Sequence, residues 1–129
     1  MERRQIPADP PYDAVWGYSR AVVAGDRIHV SGTTAGADPP DDPYAQARRA
    51  LERILAALAQ VGAGSEHVVR TRIFVRRFED LDEVARAHAE VFGNVRPAAT
   101  AVVVQGFVDA AFLVEIEADA IVPEARSGP

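Results

Sequence analysis

Asp42-Pro43-Tyr44-Ala45-Gln46-Ala47-Arg48-Arg49-Ala50-Leu51-Glu52-Arg53-Ile54-Leu55-Ala56-Ala57-Leu58-Ala59-Gln60-Val61-Gly62 is the stretch on which the architecture turns. Asp42 can cap a helix and Pro43 suits its first turn, where a missing N–H costs nothing. Tyr44, Ala47, Leu51, Ile54, Leu55, Leu58 and Val61 recur at helical spacing, and Gly62 ends the run. This is an amphipathic helix that needs a sheet to lie on. Toward the C terminus, Val69, Thr71, Ile73 and Val75 alternate with Arg70, Arg72, Phe74 and Arg76, the period-two signature of a strand with one apolar face. Asp80 with Glu83 resembles a capping box, and Leu81, Val84, His88, Val91 and Phe92 form one stripe of a second helix closed by Gly93. Strands over 100–104 and 113–122 follow, separated by a loop at 106–111. Toward the N terminus, strands over 19–24 and 28–33 are joined by the hairpin turn Ala24-Gly25-Asp26-Arg27, and 35–40 is a loop.

Residues 1–14 read as an extended arm, because Pro7, Pro10 and Pro11 oppose a helix and remove ladder donors. Residues 123–129 read as a frayed tail, leaving 15–122 as one domain. The element order is then β-β-α-β-α-β-β, an α/β arrangement in which two helices cover one face of a single mixed sheet.

The chain's 129 residues leave room for one such unit, and 48% hydrophobic with 26% charged residues is an ordinary globular composition. Fourteen basic against nineteen acidic side chains give −5, which argues against nucleic acid or an anionic membrane as the main partner. Every basic side chain is arginine, which excludes a Schiff-base lysine, and the lack of cysteine excludes thiolate nucleophiles, disulfides and thiolate metal sites. The opening Met1-Glu2-Arg3-Arg4-Gln5-Ile6-Pro7 has no apolar run of a signal peptide, and Ala101-Val102-Val103-Val104 is far too short for a membrane span. A cytoplasmic location is the expectation.

The sheet face away from the helices carries the chemistry. On the last strand Glu115, Glu117 and Asp119 point one way, while Val114, Ile116, Ala118 and Ala120 point toward the helices; the third strand adds Arg70, Arg72 and Arg76 to the polar side. These charges can form cross-strand pairs on a solvated face, or the face can be buried against copies of the chain. No phosphate-binding glycine loop appears, Ser31 lacks a nucleophile elbow, and His29, His67 and His88 are spread over a strand, a loop and a helix without ligand spacing, so no metal or cofactor is expected.

Trp16-Gly17-Tyr18-Ser19, Ile28-His29-Val30-Ser31-Gly32, Gln46-Ala47-x-x-Ala50-Leu51, Val69-Arg70-Thr71, Pro97-Ala98 and Val114-Glu115-Ile116-Glu117-Ala118, in that order, resemble the RidA/YjgF family of reactive-imine deaminases. The resemblance implies a chorismate-mutase-like subunit, assembled as a homotrimer with a small-molecule pocket in each cleft between neighbours. It implies hydrolysis of 2-imino or 2-enamino acids to 2-keto acids and ammonia. Such chemistry asks for a cation to hold the substrate carboxylate and an acid/base group to place water. By the same resemblance Glu115 orients the water, Tyr18, Ser31 and Gly32 line the cleft, and Ala101 contributes its backbone carbonyl.

The chain departs from the family pattern at the anchor. Pro-Ala-Arg becomes Pro97-Ala98-Ala99, and the second helix carries Ala85 and His88 where deaminating relatives have asparagine and tyrosine. Losing a charge-assisted contact removes about 1.5–3 kcal/mol per hydrogen bond, which argues for an altered substrate, neutral or cationic, unless Arg20, Arg72, Arg86 or Arg96 supplies a guanidinium. Structural alternatives stand beside these roles: Glu115 can pair with a strand arginine, Tyr18 and Trp16 can pack a subunit seam, Ser31-Gly32 can serve only a turn, and His88 can be a satisfied interior histidine. Two functions follow, a hydrolase of C–N bonds with Glu115 handling proton and water, or a non-catalytic ligand-binding or regulatory protein using the same cleft. The family's older endoribonuclease label fits poorly, since an acidic chain offers no basic stripe with stacking aromatics.

Overall fold

The last strand in sequence is the middle of the sheet. A computed structural model describes residues 2–123 and gives, in order, β1 (Arg3–Pro7), α1 (Tyr12–Trp16), β2 (Ser19–Ala24), β3 (Arg27–Thr33), α2 (Pro43–Ala59), β4 (Val68–Val75), α3 (Leu81–Phe92), β5 (Ala98–Val103) and β6 (Val114–Ile121). They form one six-stranded sheet in the order β1-β2-β3-β6-β4-β5. Only the β4–β5 pair is parallel; the other neighbours run antiparallel. The single mixed sheet with α2 and α3 on one face is the architecture expected from the sequence.

α2 forms as its sequence dictates. The Asp42 carboxylate accepts from the Ala45 N–H at 2.7 Å, Pro43 opens the first turn, and beyond the end Gly62 takes φ +79° while the Ala63 N–H returns to the Leu58 carbonyl at 2.9 Å. Leu51, Ile54 and Leu58 from α2, Phe92 and Val84 from α3, and Val75, Val114 and Ile116 from the sheet are fully buried together. Each large side chain so placed contributes about 1.5–3 kcal/mol of transfer free energy. Gln46 is buried among them with all its bonds made: its amide donates to the Pro40 and Ala111 carbonyls, and its carbonyl accepts from the Leu113 N–H. One helix side chain thereby fixes the segment that leads from β5 into β6.

Four expectations are corrected. The first fourteen residues are not simply an arm: Arg3–Pro7 pairs with β2 as an edge strand, with only Ile6 buried, and a short helix starts directly after Pro11. Pro7 is compatible because it sits at the strand's end, where the register already shifts. Val69 is 45% exposed rather than inward, since the β4–β6 register slips between Val68 and Arg70 and turns it over. Asp80 makes no capping bond; it is buried and takes two bonds from Arg77, at 2.8 and 3.1 Å. β5 starts two residues earlier than expected and is exposed along its whole length. The tail proposed for 123–129 lies, apart from Pro123, outside the described residues. Among the described residues no helix is long and apolar enough to cross a membrane.

Candidate functional site

The expected alternation on β6 is complete: Val114, Ile116, Ala118 and Ala120 are buried beneath the helices, while Glu115, Glu117 and Asp119 face the other way. Arg72 of β4 answers two of the three acids, reaching Glu117 at 3.1 Å and Asp119 at 3.2 Å, and His29 holds Asp119 from β3 at 2.8 Å. Glu115 is left out. The β4 residue opposite it is Phe74, and among the described residues the Glu115 carboxylate makes no ion pair or hydrogen bond. Its structural alternative, a partner for a strand arginine, is therefore not what the chain builds.

Glu115 owes its setting to β3. Val30 faces Ala118 and Thr33 faces Ile116, so Ser31 and Gly32 together span one step of β6, a bulge that turns the backbone of Gly32 onto the carboxylate. A methyl group on Gly32 would overlap the Glu115 carboxylate oxygen, so glycine is what lets the acid lie against the strand. Burial, and secondarily the like charge of Glu117, raise the Glu115 carboxyl above the usual carboxylate range, while Arg20 opposes the shift. No buried side-chain oxygen or nitrogen among the described residues lacks a partner, so the unbonded Glu115 oxygens reach solvent.

Arg20 completes this wall. Its Nη1 donates to the Gly32 carbonyl and to Thr33 Oγ1, each at 3.0 Å, and Nη2 reaches the Tyr18 hydroxyl at 3.4 Å, with the guanidinium 5.8 Å from the Tyr18 ring centre. Thr33 is fully buried and donates in turn to the Ser31 carbonyl at 2.7 Å. Ser31 spends its hydroxyl on the Ser19 carbonyl at 2.6 Å, tying β3 to β2. The other candidate arginines are committed elsewhere: Arg72 to the two acids, Arg86 to Glu83 and the Tyr44 ring, Arg96 through Nε to the Gly93 carbonyl. Thr33 carries no signal in the sequence that marks it as a site residue; its part emerges only with the bulge.

The remaining predicted residues lie on the other side of the sheet. Ala99 and Ala101 of β5 are in register with Thr71 and Ile73 and share their helix-side direction, yet they remain exposed because no helix extends over this edge. His88, on α3, meets Thr71 Oγ1 through Nε2 at 2.9 Å and lies 4.8 Å from the Phe92 ring; burial lowers its pKa, which favours the neutral imidazole. Ala85, one turn earlier, is exposed. The candidate residues of a single chain thus fall into two separate groups: Tyr18, Arg20, Gly32 and Glu115 on the open face, and Ala85, His88, Ala99 and Ala101 at the β5 edge of the helix side. Nothing within one chain brings them together.

Glu115 lines neither of two grooves of the single chain. One of about 480 Å³ runs past Gln5, Asp13, Tyr18 and Ser19, and one of about 390 Å³ lies between α2 and the loop at Gly36, where Arg49 and Arg53 donate to loop carbonyls. Among the described residues no three His, Asp or Glu side chains are grouped so as to hold a metal ion.

Comparison with known proteins agrees with this fold. The family model described as Endoribonuclease L-PSP matches residues 9–122. An uncharacterized protein of Streptomyces coelicolor is 42% identical over 121 residues, covering 91% of this chain and 90% of that protein. Protein DfrA of Myxococcus xanthus is 33% identical, with 94% and 95% covered. A Mycobacterium tuberculosis crystal structure, described as a member of the highly conserved YjgF/YER057c/UK114 family, superposes with a TM-score of 0.88 at 43% identity, covering 94% of this chain and all of that one. The family model over 9–122, the relative of 42% identity and the superposed fold together make the chain a member of the endoribonuclease L-PSP family, the RidA/YjgF group.

Proposed function

We propose that three copies of the chain associate so that the Glu115 wall of one faces the β5 and α3 residues of the next, and that each cleft hydrolyses a C–N bond of an imine, enamine or related small molecule. The observation that carries this reading is Glu115: a half-buried acid, raised above the usual carboxylate range, with no partner among the described residues and with solvent at its oxygens. Such a group takes a proton from water as oxygen adds to a C=N carbon, then returns a proton to nitrogen; the C–N bond breaks, and imine plus water becomes carbonyl compound plus ammonia. Association is supported by β5, which offers the chain of residues Ala-Ala-Thr-Ala-Val-Val with no charge and no proline on a fully exposed outer strand. Its Val102 and Val103 are large apolar side chains left open in the single chain, and Phe78 is another.

The test couples the protein to an amino-acid oxidase and follows imine decay by semicarbazide trapping, with light scattering to read the mass. The expected result is a trimer that accelerates decay and a Glu115→Gln variant that is trimeric and does not. Decay at the buffer rate removes imino-acid deamination. One observation favours a second reading, a non-catalytic binding protein: beside His88, the α3 and β5 candidates Ala85, Ala99 and Ala101 present only methyl groups. For that function Glu115→Gln leaves ligand binding intact.

A further inference from the structure

We infer that Arg20 is the anion-binding group of this site, so that the cleft accepts small organic carboxylates with the negative group held on the same wall as Glu115. The inference rests on the reading above and deepens it by assigning the group that holds the anion now that Ala99 stands at the anchor; every group that carries it belongs to one chain. A guanidinium has five N–H donors. Arg20 uses its two Nη1 donors on Gly32 and Thr33 and one Nη2 donor on Tyr18, which leaves Nε–H and one Nη2–H without a partner among the described residues.

Elsewhere in this chain that same pair of nitrogens is what a carboxylate takes. Arg77 holds Asp80 through Nε at 2.8 Å and Nη2 at 3.1 Å, and Arg86 holds Glu83 through Nε at 3.4 Å and Nη2 at 3.0 Å. The fork is the geometry that matches two carboxylate oxygens. At Arg20 the fork has no acid in it, although the side chain is only partly exposed and is held by contacts on its other edge. Being half-buried, it offers a charge that solvent screens less than on a free surface arginine.

Glu115 does not bond to the Arg20 fork. It lies against the Gly32 backbone whose carbonyl Arg20 binds, so the two charges flank one residue without closing on each other. A ligand there meets a donor fork on one side of Gly32 and an acceptor on the other. The anion anchor absent at Ala99 has thus an equivalent on the opposite wall, and a neutral ligand would leave the Arg20 fork unused.

The test titrates the intact protein with benzoate and with benzamide, which share shape and differ by one charge, reading the amide NMR shifts of Gly32 and Thr33. Benzoate is expected to bind at least about tenfold more tightly than benzamide, equivalent to about 1.4 kcal/mol. Arg20→Gln should bring the ratio close to one, and Arg20→Lys, which keeps the charge but not the fork, should fall between. Repeating the titration in Glu115→Gln, where turnover is expected to be absent, should preserve the preference for benzoate; this separates failure of the anion site from failure of the hydrolase reading. An unchanged ratio in Arg20→Gln, equal binding of the two probes by the unsubstituted protein, or no benzoate-dependent shift at Gly32 and Thr33 overturns the inference.

Discussion

Replacing Gly32 with alanine separates the position of the acid from the stability of the fold. The added Cβ would stand 3.0 Å from Cδ and 3.3 Å from Cγ of Glu115 and would overlap one carboxylate oxygen, so the acid must leave. Gly32 does not occupy the left-handed region, so the backbone accepts an L residue, and what gives way is the far end of a flexible side chain. Moving that end costs about 0.5–1.5 kcal/mol if it is left off its rotamer, and less if it swings to another staggered well in water. The melting temperature should therefore fall by no more than about 5–8 °C for a domain of this size. The carboxyl pKa should drop toward the ordinary glutamate value, because burial is the first cause of its elevation. Thermal unfolding and a 13C titration of the Glu115 carboxyl read the two quantities, and imine trapping reads activity, expected to be lost. A variant that keeps both the raised pKa and full turnover, or one that loses more than about 3 kcal/mol of stability, would refute the reasoning.

The raised Glu115 pKa makes the acid favour the folded state while protonated, a contribution present below the unfolded glutamate pKa and lost as pH rises through the folded value. Glu115→Gln should accordingly be more stable than the parent at neutral pH, with the gap closing on acidification in urea unfolding curves. His88 has the opposite sign for proton uptake: its lowered pKa means the unfolded chain binds the proton more readily, so stability should fall as pH drops below about 6.5. His88→Gln, which can still meet Thr71, should flatten that dependence. Gln46→Leu keeps volume but abandons the part-buried Pro40 and Ala111 carbonyls and the buried Leu113 N–H, and at about 1 kcal/mol per lost bond it should destabilise by about 3 kcal/mol in the same assay.

What could be read from the amino acids was what repeats with a regular period. α2 declared itself through Asp42, Pro43 and Gly62, and β6 through strict alternation, because each reports a local rule that the core then reinforces. β1 escaped because a strand with one buried residue, Ile6, has no alternation to show and ends in a proline; its ladder to β2 is tertiary information. Asp80 was misread because a nearby arginine outcompeted the backbone for its carboxylate. Of the site, Tyr18, Gly32, Glu115 and the alanines at 85, 99 and 101 were found through resemblance to relatives. The bulge at Ser31 and Gly32 was not legible, since an extra residue in β3 depends on its pairing with β6, and it is the bulge that sets glycine against acid. The bonds from Arg20 to Gly32 and Thr33 fall at that same irregularity.

The central place of Val114–Ile121 bears on how the protein is made. On the ribosome, β1 to β3 emerge as one antiparallel ribbon and β4 with β5 as a separate parallel pair, and neither has the neighbour that joins them until β6 is threaded between β3 and β4. The two halves must wait for each other, so assembly of the sheet is held back until nearly all of the domain has been translated. The strand that bears the acid is also the one that closes the fold, and a nascent chain halted before it has neither.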